Sequence, residues 1–159
     1  LVFYRIQGKL PNNITMKGLQ KNMTLLIDTN ILLDMVFKRP NCEKVKKLFS
    51  LILEKDVLAV ITASAVTDLF YIIRKLTHDI DKTYTIMENI FKLVSILSVT
   101  DKDIETAFFK KWKDFEDCVQ YTTARHNSVD YLITSNVHDF EENVFPIISV
   151  DEGIVLLEH

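Results

Sequence analysis

The stretch TLLIDTNILLD, residues 24–34, begins as an apolar run and then places an acid, Asp28, before two small polar residues. Residues 24–27 have the length and composition of a short buried strand. In parallel α/β sheets, ligands bind beyond the carboxyl ends of the strands, so an acid at this point predicts a functional site. The alternative is that Asp28 caps the helix that follows.

Outward from this stretch, short apolar runs alternate with segments whose apolar residues recur every three or four positions. The runs typical of strands are 24–27, 57–61, 96–99, 131–134 and 147–150. Helical periodicity is found in 42–52, 66–76, 84–94, 104–108 and 115–122, with Asp79 or Asp81, and Thr100 or Asp101, as candidate N-caps. The alternation predicts an α/β protein with a parallel sheet of four to five strands and helices on both faces.

Composition sets the class of protein. The chain has 159 residues, of which 48% are hydrophobic, enough for one domain with a real core. No run approaches the roughly 18 apolar residues of a membrane span, so we expect a cytoplasmic protein with no membrane partner. Cys42 and Cys118 match no metal-ligand spacing and are expected to be buried thiols.

Charge divides the chain into two parts. Residues 1–22 carry four basic and no acidic side chains, and Met23 immediately precedes the first strand. We expect residues 1–22 to be a disordered N-terminal arm or extension and residues 23–159 to form the domain; the alternative is a basic arm that touches RNA. The remaining residues carry 15 basic and 22 acidic side chains, a net charge of −7.

The same edge of the predicted sheet collects other polar side chains. Thr62, Ala63 and Ser64 follow the second strand, and Thr134, Ser135 and Asn136 follow the fourth. After Met23 the only glycine is Gly153, which excludes a glycine-rich dinucleotide or phosphate loop, and no G-x-S-x-G motif indicates a nucleophilic serine. Nucleotide cofactors and acyl transfer are therefore disfavoured.

Carboxylates are the functional groups that remain. The candidates are Asp28, Asp68, Asp114, Asp117 and Asp139. Converging acids repel one another unless a cation lies between them, and hard oxygen ligands favour Mg²⁺ or Mn²⁺ over zinc. A metal site is the economical explanation of the set.

Each acid also has an ordinary structural interpretation. Asp68 fits a solvated helix position, and Asp114 fits the N-cap of the helix that starts at Phe115. Asp117 in the first turn would favour the helix dipole, and Asp139 would stabilise a turn. Spacing alone does not choose between these interpretations and a metal site.

The joint pattern resembles a known family. LIDTNILLD, residues 26–34, followed by DFEDCVQYTTARHNSVDYLITSNVHDF, residues 114–140, is similar to PIN-domain ribonucleases, in particular to the toxins of toxin–antitoxin pairs. The similarity spans residues 24–150. It implies a three-layer α/β/α sandwich with an acidic cluster that binds Mg²⁺ or Mn²⁺ and hydrolyses RNA phosphodiesters, leaving a 5′-phosphate and a 3′-hydroxyl.

The resemblance also assigns roles to residues. Asp28 matches the acid of the D-T-N motif, Asp117 matches the metal-binding acid of D-F-E-D, and Asp68 stands where relatives have a glutamate. Where relatives read T-x-D, this chain has Asn136, and Asp139 follows three residues later. The implied catalytic residues are Asp28, Asp68, Asp117 and Asp139, and the implied metal ligands are Asp28, Asp117, Asp139 and Asn136. Four neighbours would orient the carboxylates through hydrogen bonds: Thr29, Asn30, Asp114 and Thr134.

RNA binding is the less defined part of this hypothesis. Without the five candidate acids, residues 23–159 still carry a net charge of −2, which is not the basic footprint of a strong nucleic-acid binder. Local contacts are therefore needed. The candidates, each of which also fits a solvated helix face, are Lys38, Arg39, Arg74, Lys75, Lys110, Lys111, Lys113 and Arg125.

Partners and rival functions complete the predictions. The resemblance implies a cognate antitoxin and a homodimer, with apolar helix surface offered by Leu48, Phe49, Ile52, Phe70 and Ile73. Asp68 and Asn136 depart from the commoner acids, which keeps open a catalytically silent PIN-like module that binds RNA or acts as a scaffold. A receiver-like phosphoryl acceptor is disfavoured, because the acids are dispersed over helices and no lysine ends the last strands.

Overall fold

The computed structural model describes residues 23–159, and the predicted N-terminal arm, residues 1–22, lies outside the described residues. Its elements, in chain order, are β1 (Thr24–Ile27), α1 (Thr29–Val36), α2 (Cys42–Glu54), β2 (Leu58–Thr62), α3 (Ala63–Thr77), α4 (Ile80–Leu93), β3 (Ser95–Leu97), α5 (Asp101–Lys110), α6 (Phe115–His126), β4 (Tyr131–Ile133), β5 (Ile147–Ile148) and α7 (Val150–Glu158). A single 3-10 turn covers Val137–Asp139.

The five strands form one parallel sheet in the order β3-β2-β1-β4-β5. The first strand of the chain is therefore the central one, and Ile27 lies beside Ile133 at the carboxyl ends of β1 and β4. The backbone N–H of Asp28 donates to the carbonyl oxygen of Ile133 at 3.0 Å, which joins the two strand ends. The predicted parallel sheet is confirmed.

Alternation along the strands divides the core into two layers. Leu25 and Ile27 belong to a cluster with α1 to α4 and α7, whereas Leu26 belongs to a cluster with α5 and α6. Ile133 and Leu132 on β4 divide in the same way, as the two-residue period of a strand requires. Helices therefore cover both faces of the sheet, and the predicted three-layer sandwich is confirmed.

Three helices begin at caps that the sequence pointed to. Asp79 accepts from the backbone N–H of Lys82 at 3.0 Å, and Thr100 forms a reciprocal capping box with Asp103. Asp114 caps α6, as described with the site below. Such caps typically contribute about 1 kcal/mol each.

Two helices were not predicted. The first is α1, where the apolar residues Ile31, Leu32 and Leu33 are contiguous and all buried, so they show no three- or four-residue period. The second is α7, which begins where the last strand was predicted to continue. Ser149 forms a capping box with Glu152, so the strand ends at Ile148 and not at residue 150.

Other predictions on the described residues have clear outcomes. Cys42 and Cys118 are free and buried, as expected. Within residues 23–159, no helix is long and apolar enough to cross a membrane.

Candidate active site

The strand-end acid Asp28 is held inside the protein. It is 2% exposed, and its Oδ2 accepts a 2.8 Å hydrogen bond from the Thr134 hydroxyl. Its Oδ1 accepts from Nε2 of Gln120 at 3.3 Å. Although Asp28 occupies the N-cap position of α1, its side chain makes no capping hydrogen bond. The carboxylate is therefore directed toward α6 and β4.

Asp114 orients the first turn of α6. Its Oδ1 accepts from the backbone N–H groups of Glu116 at 2.9 Å and Asp117 at 3.1 Å, so the N-cap interpretation of Asp114 is correct. This cap also gathers acids, because carboxylate oxygens of Asp114, Glu116 and Asp117 all lie within 4.8 Å of one another. The cap and the candidate metal site are thus the same structure.

Glu116 is the site residue that sequence reasoning missed. Its Oε1 accepts from Gln120 Nε2 at 2.8 Å and from the Thr29 hydroxyl at 3.3 Å. The same Gln120 amide nitrogen thereby bridges the carboxylates of Glu116 and Asp28. The available signal was the four-residue spacing of Glu116 and Gln120, which places them on one helix face.

Burial and mutual repulsion raise the pKa values of these acids. Burial first, and then the charges of Asp28 and Asp117, raise the pKa of Glu116 to about 7. Burial, followed by the charges of Asp28, Asp114 and Asp139, raises the pKa of Asp117 to about 7. Burial also raises the pKa of Asp28, against the opposing hydrogen bonds from Thr134 and Gln120. Neighbouring acids whose pKa values are shifted in this way are typical of functional sites.

The remaining predicted acids lie around this cluster. Asp68, on α3, has a pKa raised by burial and then by the charge of Asp114, and its own charge raises the pKa of Glu116. Asp139 is exposed in the 3-10 turn and acts on Asp117 through its charge. Both acids therefore interact electrostatically with the first turn of α6.

The neutral residues predicted to orient the acids, and Asn136, which was predicted to be a metal ligand, have different contacts. The hydroxyl of Thr29 donates to Glu116, and that of Thr134 donates to Asp28. The backbone amide of Asn30 counteracts the rise in the pKa of Asp28. The exposed Asn136 donates its backbone N–H to the Thr134 hydroxyl oxygen at 3.0 Å, which fixes that hydroxyl from the other side.

The cations predicted to contact RNA are spread over several helix ends. Lys38 and Arg39 follow the end of α1, roughly 12 Å along the helix from its start beside Asp28, and Arg39 pairs with Asp34 at 3.6 Å. Arg74 lies in the last turn of α3, and Arg125 lines a cleft between α5 and α6.

The donor set fits a hard divalent cation. Asp114, Glu116 and Asp117 supply oxygens close enough to share one ion, and Asp28 is joined to them through Gln120. Oxygen-only sites with several carboxylates suit Mg²⁺, Mn²⁺ or Ca²⁺ rather than zinc. Among the described residues, the buried Gln120 Oε1 also has no hydrogen-bond partner, so this polar interior retains unused acceptor capacity.

The raised pKa values predict how the stability of the metal-free protein depends on pH. Glu116 and Asp117 have ordinary values of 4.5 and 3.8 but folded values of about 7, so the folded state holds these protons more tightly. Their stabilising contribution is complete below about pH 4 and is lost as the pH rises through about 7. In EDTA, the melting temperature of wild type should fall more steeply between about pH 4.5 and 7 than that of Glu116→Gln.

A matched control for this comparison is Glu88→Gln, because the Glu88 side chain is 71% exposed on α4. That variant should keep the wild-type slope. Identical slopes in all three proteins would contradict the raised pKa of Glu116 and the repulsion among the acids that contributes to it.

The fold and site together define a class: an α/β/α protein with a buried acid at the end of the central strand and an acidic helix start facing it. The sequence profile of the PIN domain matches residues 24–138, and the chain belongs to this family. A search of curated protein sequences found no match.

Solved structures with the same fold include toxin–antitoxin proteins. The VapBC2 complex of Rickettsia felis, bound to a promoter DNA fragment, aligns with a TM-score of 0.64 and 14% identity over 80% of this chain and 98% of that chain. A toxin–antitoxin complex from Klebsiella pneumoniae aligns with a TM-score of 0.57 and 22% identity over 79% of this chain and 97% of that chain. The Mycobacterium tuberculosis VapC20 toxin, described as cleaving the sarcin–ricin loop, aligns with a TM-score of 0.55 and 11% identity over 68% of this chain and 86% of that chain. At these identities the likeness shows a shared fold.

Proposed function

We propose that this chain is a Mg²⁺- or Mn²⁺-dependent endoribonuclease. The observation that carries the proposal is the bridge by which Gln120 holds Asp28 and Glu116 together beside Asp117. Such an arrangement concentrates negative charge that a cation would neutralise, at the edge of a parallel sheet where ligands bind. Membership of the PIN family supports the same reaction class.

The chain's own residues would hold and orient the ion. Asp28, Glu116 and Asp117 are the proposed main ligands, with Asp114 contributing both as ligand and as cap. Asp68, Asp139 and Asn136 would complete the rim. A bound divalent cation would supply charge neutralisation of the phosphodiester and activation of a water molecule. The hydrogen bonds from Thr134 and Gln120 would favour the ionised form of the Asp28 carboxylate and hold it in one orientation toward the cation.

A toxin of a toxin–antitoxin pair is the biological role that we propose. The similar structures from Rickettsia felis and Klebsiella pneumoniae are complexes of that kind, which supports a cognate antitoxin as partner. We expect the antitoxin to bring a cationic side chain to the acidic cluster. A homodimer is also proposed, but most of the helix surface suggested for it is used by the core, since Leu48, Phe49, Ile52 and Ile73 are buried.

Cleavage of labelled single-stranded RNA with Mg²⁺, with Mn²⁺ and with EDTA tests the proposal. Products should appear only with metal and carry a 5′-phosphate. A protein that binds the RNA but leaves it intact under all three conditions would instead be the silent PIN-like module, the alternative motivated by Asp68 and Asn136.

Thr134→Val should lower the cleavage rate by about 10- to 100-fold, the usual cost of losing an outer hydrogen bond to a metal ligand. Valine keeps the volume of threonine but removes the hydroxyl that donates to Asp28 and accepts from Asn136. Initial rates at saturating Mn²⁺ measure the effect. Thr134→Ser keeps the hydroxyl and should recover most of the activity; equal losses in both variants would contradict a hydrogen-bonding role.

A further inference from the structure

A second polar site lies between α5 and α6, outside the acidic cluster. It is a cleft of about 380 Å³ whose lining includes Lys102, Lys110, Arg125 and His126, together with the carboxylate of Asp103. These residues come from the two ends of α5 and the last turns of α6. The cleft therefore depends on the packing of two helices that are separate in sequence.

The acid in this cleft is already compensated within the fold. Asp103 is 3% exposed and accepts from the backbone N–H and the hydroxyl of Thr100, both at 2.8 Å. Its Oδ1 lies 3.0 Å from Nδ1 of His126. This contact fixes the imidazole ring and leaves Nε2 as the nitrogen available to a ligand. Asp103 thus acts as a support for His126 rather than as a competing anion.

The cationic groups are arranged so that an anion can meet several of them. Glu142 contacts Lys110 and lies 3.9 Å from Arg125 Nη1, so this carboxylate holds the two cationic groups near each other and partly neutralises them. Lys102, near the start of α5, and His126, next to Arg125 on α6, are exposed on the same lining. With Glu142 counted beside Asp103, three permanent cations and His126 face two carboxylates, which leaves a local excess of positive charge on a body whose net charge is −7.

We propose that this cleft binds a backbone phosphate of the RNA strand whose scissile bond lies at the acidic cluster. The inference rests on the proposed function and names a contact that the acidic cluster cannot supply. Arg125 follows Asp117 by eight residues on α6, about 12 Å along the helix axis. At about 3.4 Å per stacked nucleotide, roughly three to four nucleotides separate the two sites.

A phosphate suits the cleft better than an isolated carboxylate would. The guanidinium of Arg125 offers a planar pair of donors, and the ammonium groups of Lys102 and Lys110 add point charges. The hydroxyl of Thr106 provides a further donor on the lining. The cleft also explains how an acidic protein could hold a polyanion, because it offers cationic groups at a place outside the acidic cluster of Asp28, Asp114, Glu116 and Asp117.

The test compares the double variant Lys102→Gln/Arg125→Gln with wild type in EDTA, where binding is measured without cleavage. Fluorescence anisotropy of a labelled 12-nucleotide RNA should show affinity weaker by on the order of tenfold, and the slope of log K against log salt should be shallower by about 0.7 to 1.4. The control Lys46→Gln/Lys92→Gln removes two exposed cations from α2 and α4 and should leave both values unchanged.

Substrate length gives a second readout. With Mn²⁺, the double variant should raise KM for the 12-nucleotide RNA with little change in kcat, and it should cleave a dinucleotide as wild type does, because a dinucleotide cannot span the two sites. Wild-type RNA affinity in the double variant would overturn the inference. The assignment to an RNA strand would be overturned if the cleft bound inorganic phosphate but not RNA, or if it bound a polyglutamate peptide more tightly than RNA.

These outcomes separate the inference from the proposed function. If wild type never cleaves RNA but the double variant loses RNA affinity, the nuclease proposal fails and the phosphate-binding cleft stands. If wild type cleaves RNA and the double variant binds it normally, the nuclease proposal stands and the cleft does not contact RNA.

Discussion

Asp28→Asn is expected to reduce RNA cleavage more than about a hundredfold, because loss of an outer hydrogen-bonding partner of a metal ligand alone typically costs 10- to 100-fold. Asparagine retains an oxygen that can accept from Thr134 but removes the negative charge from the centre of the cluster. The melting temperature of the metal-free protein should stay the same or rise, since burial already opposes ionisation of Asp28 and its charge raises the pKa of both Glu116 and Asp117.

The matched control is Asp81→Asn, which removes the same charge from the exposed first turn of α4. It should cleave RNA as wild type does. Two measurements are needed, the initial cleavage rate with saturating Mn²⁺ and the melting temperature in EDTA. If Asp28→Asn cleaved RNA at the wild-type rate, Asp28 would not belong to the active site. A much lower melting temperature in EDTA would show that Asp28 has a structural role instead.

Much of the fold followed from local patterns in the sequence. The strand at residues 24–27 is apolar and continuous because it is the central strand and is covered on both faces. For the same reason, the residue after it had to lie at the carboxyl edge of the sheet, which placed Asp28 correctly. Where burial was complete and the period was lost, as at Ile31 to Leu33 in α1, the pattern gave no sign of a helix.

The site was only partly accessible from sequence because its geometry depends on helix orientation. The D-F-E-D motif contains three acids, and the resemblance singled out Asp117 without distinguishing the direction of its neighbour Glu116. That direction is fixed by Gln120, one turn further along the same helix, and by Thr29 on α1, which meets Glu116 only in the folded protein. The cationic cleft also depends on the folded arrangement, because its lining residues meet only where α5 packs against the last turns of α6.

Metal binding should stabilise the protein strongly, and this effect identifies the ligands directly. A cation that binds only the folded state raises the free energy of unfolding by RT ln(1 + [L]/Kd), about 2.7 kcal/mol at a hundredfold excess over Kd. It also relieves the repulsion that raises the pKa values of Glu116 and Asp117. Mn²⁺ should give the shift at lower concentration than Mg²⁺, following the usual affinity order, while Ca²⁺ would bind without supporting cleavage.

The deciding comparison is the Mn²⁺-induced thermal shift of wild type, Asp117→Asn and Asp114→Asn at one pH near 7.5. Asp117 is buried beside Asp28, so its loss should erase most of the shift. Asp114 is exposed, and asparagine caps helices about as well as aspartate, so Asp114→Asn should retain the start of α6 and lose only part of the shift. Full and equal shifts in all three proteins would mean that no metal is held by this helix, and the nuclease proposal would then lack its cation.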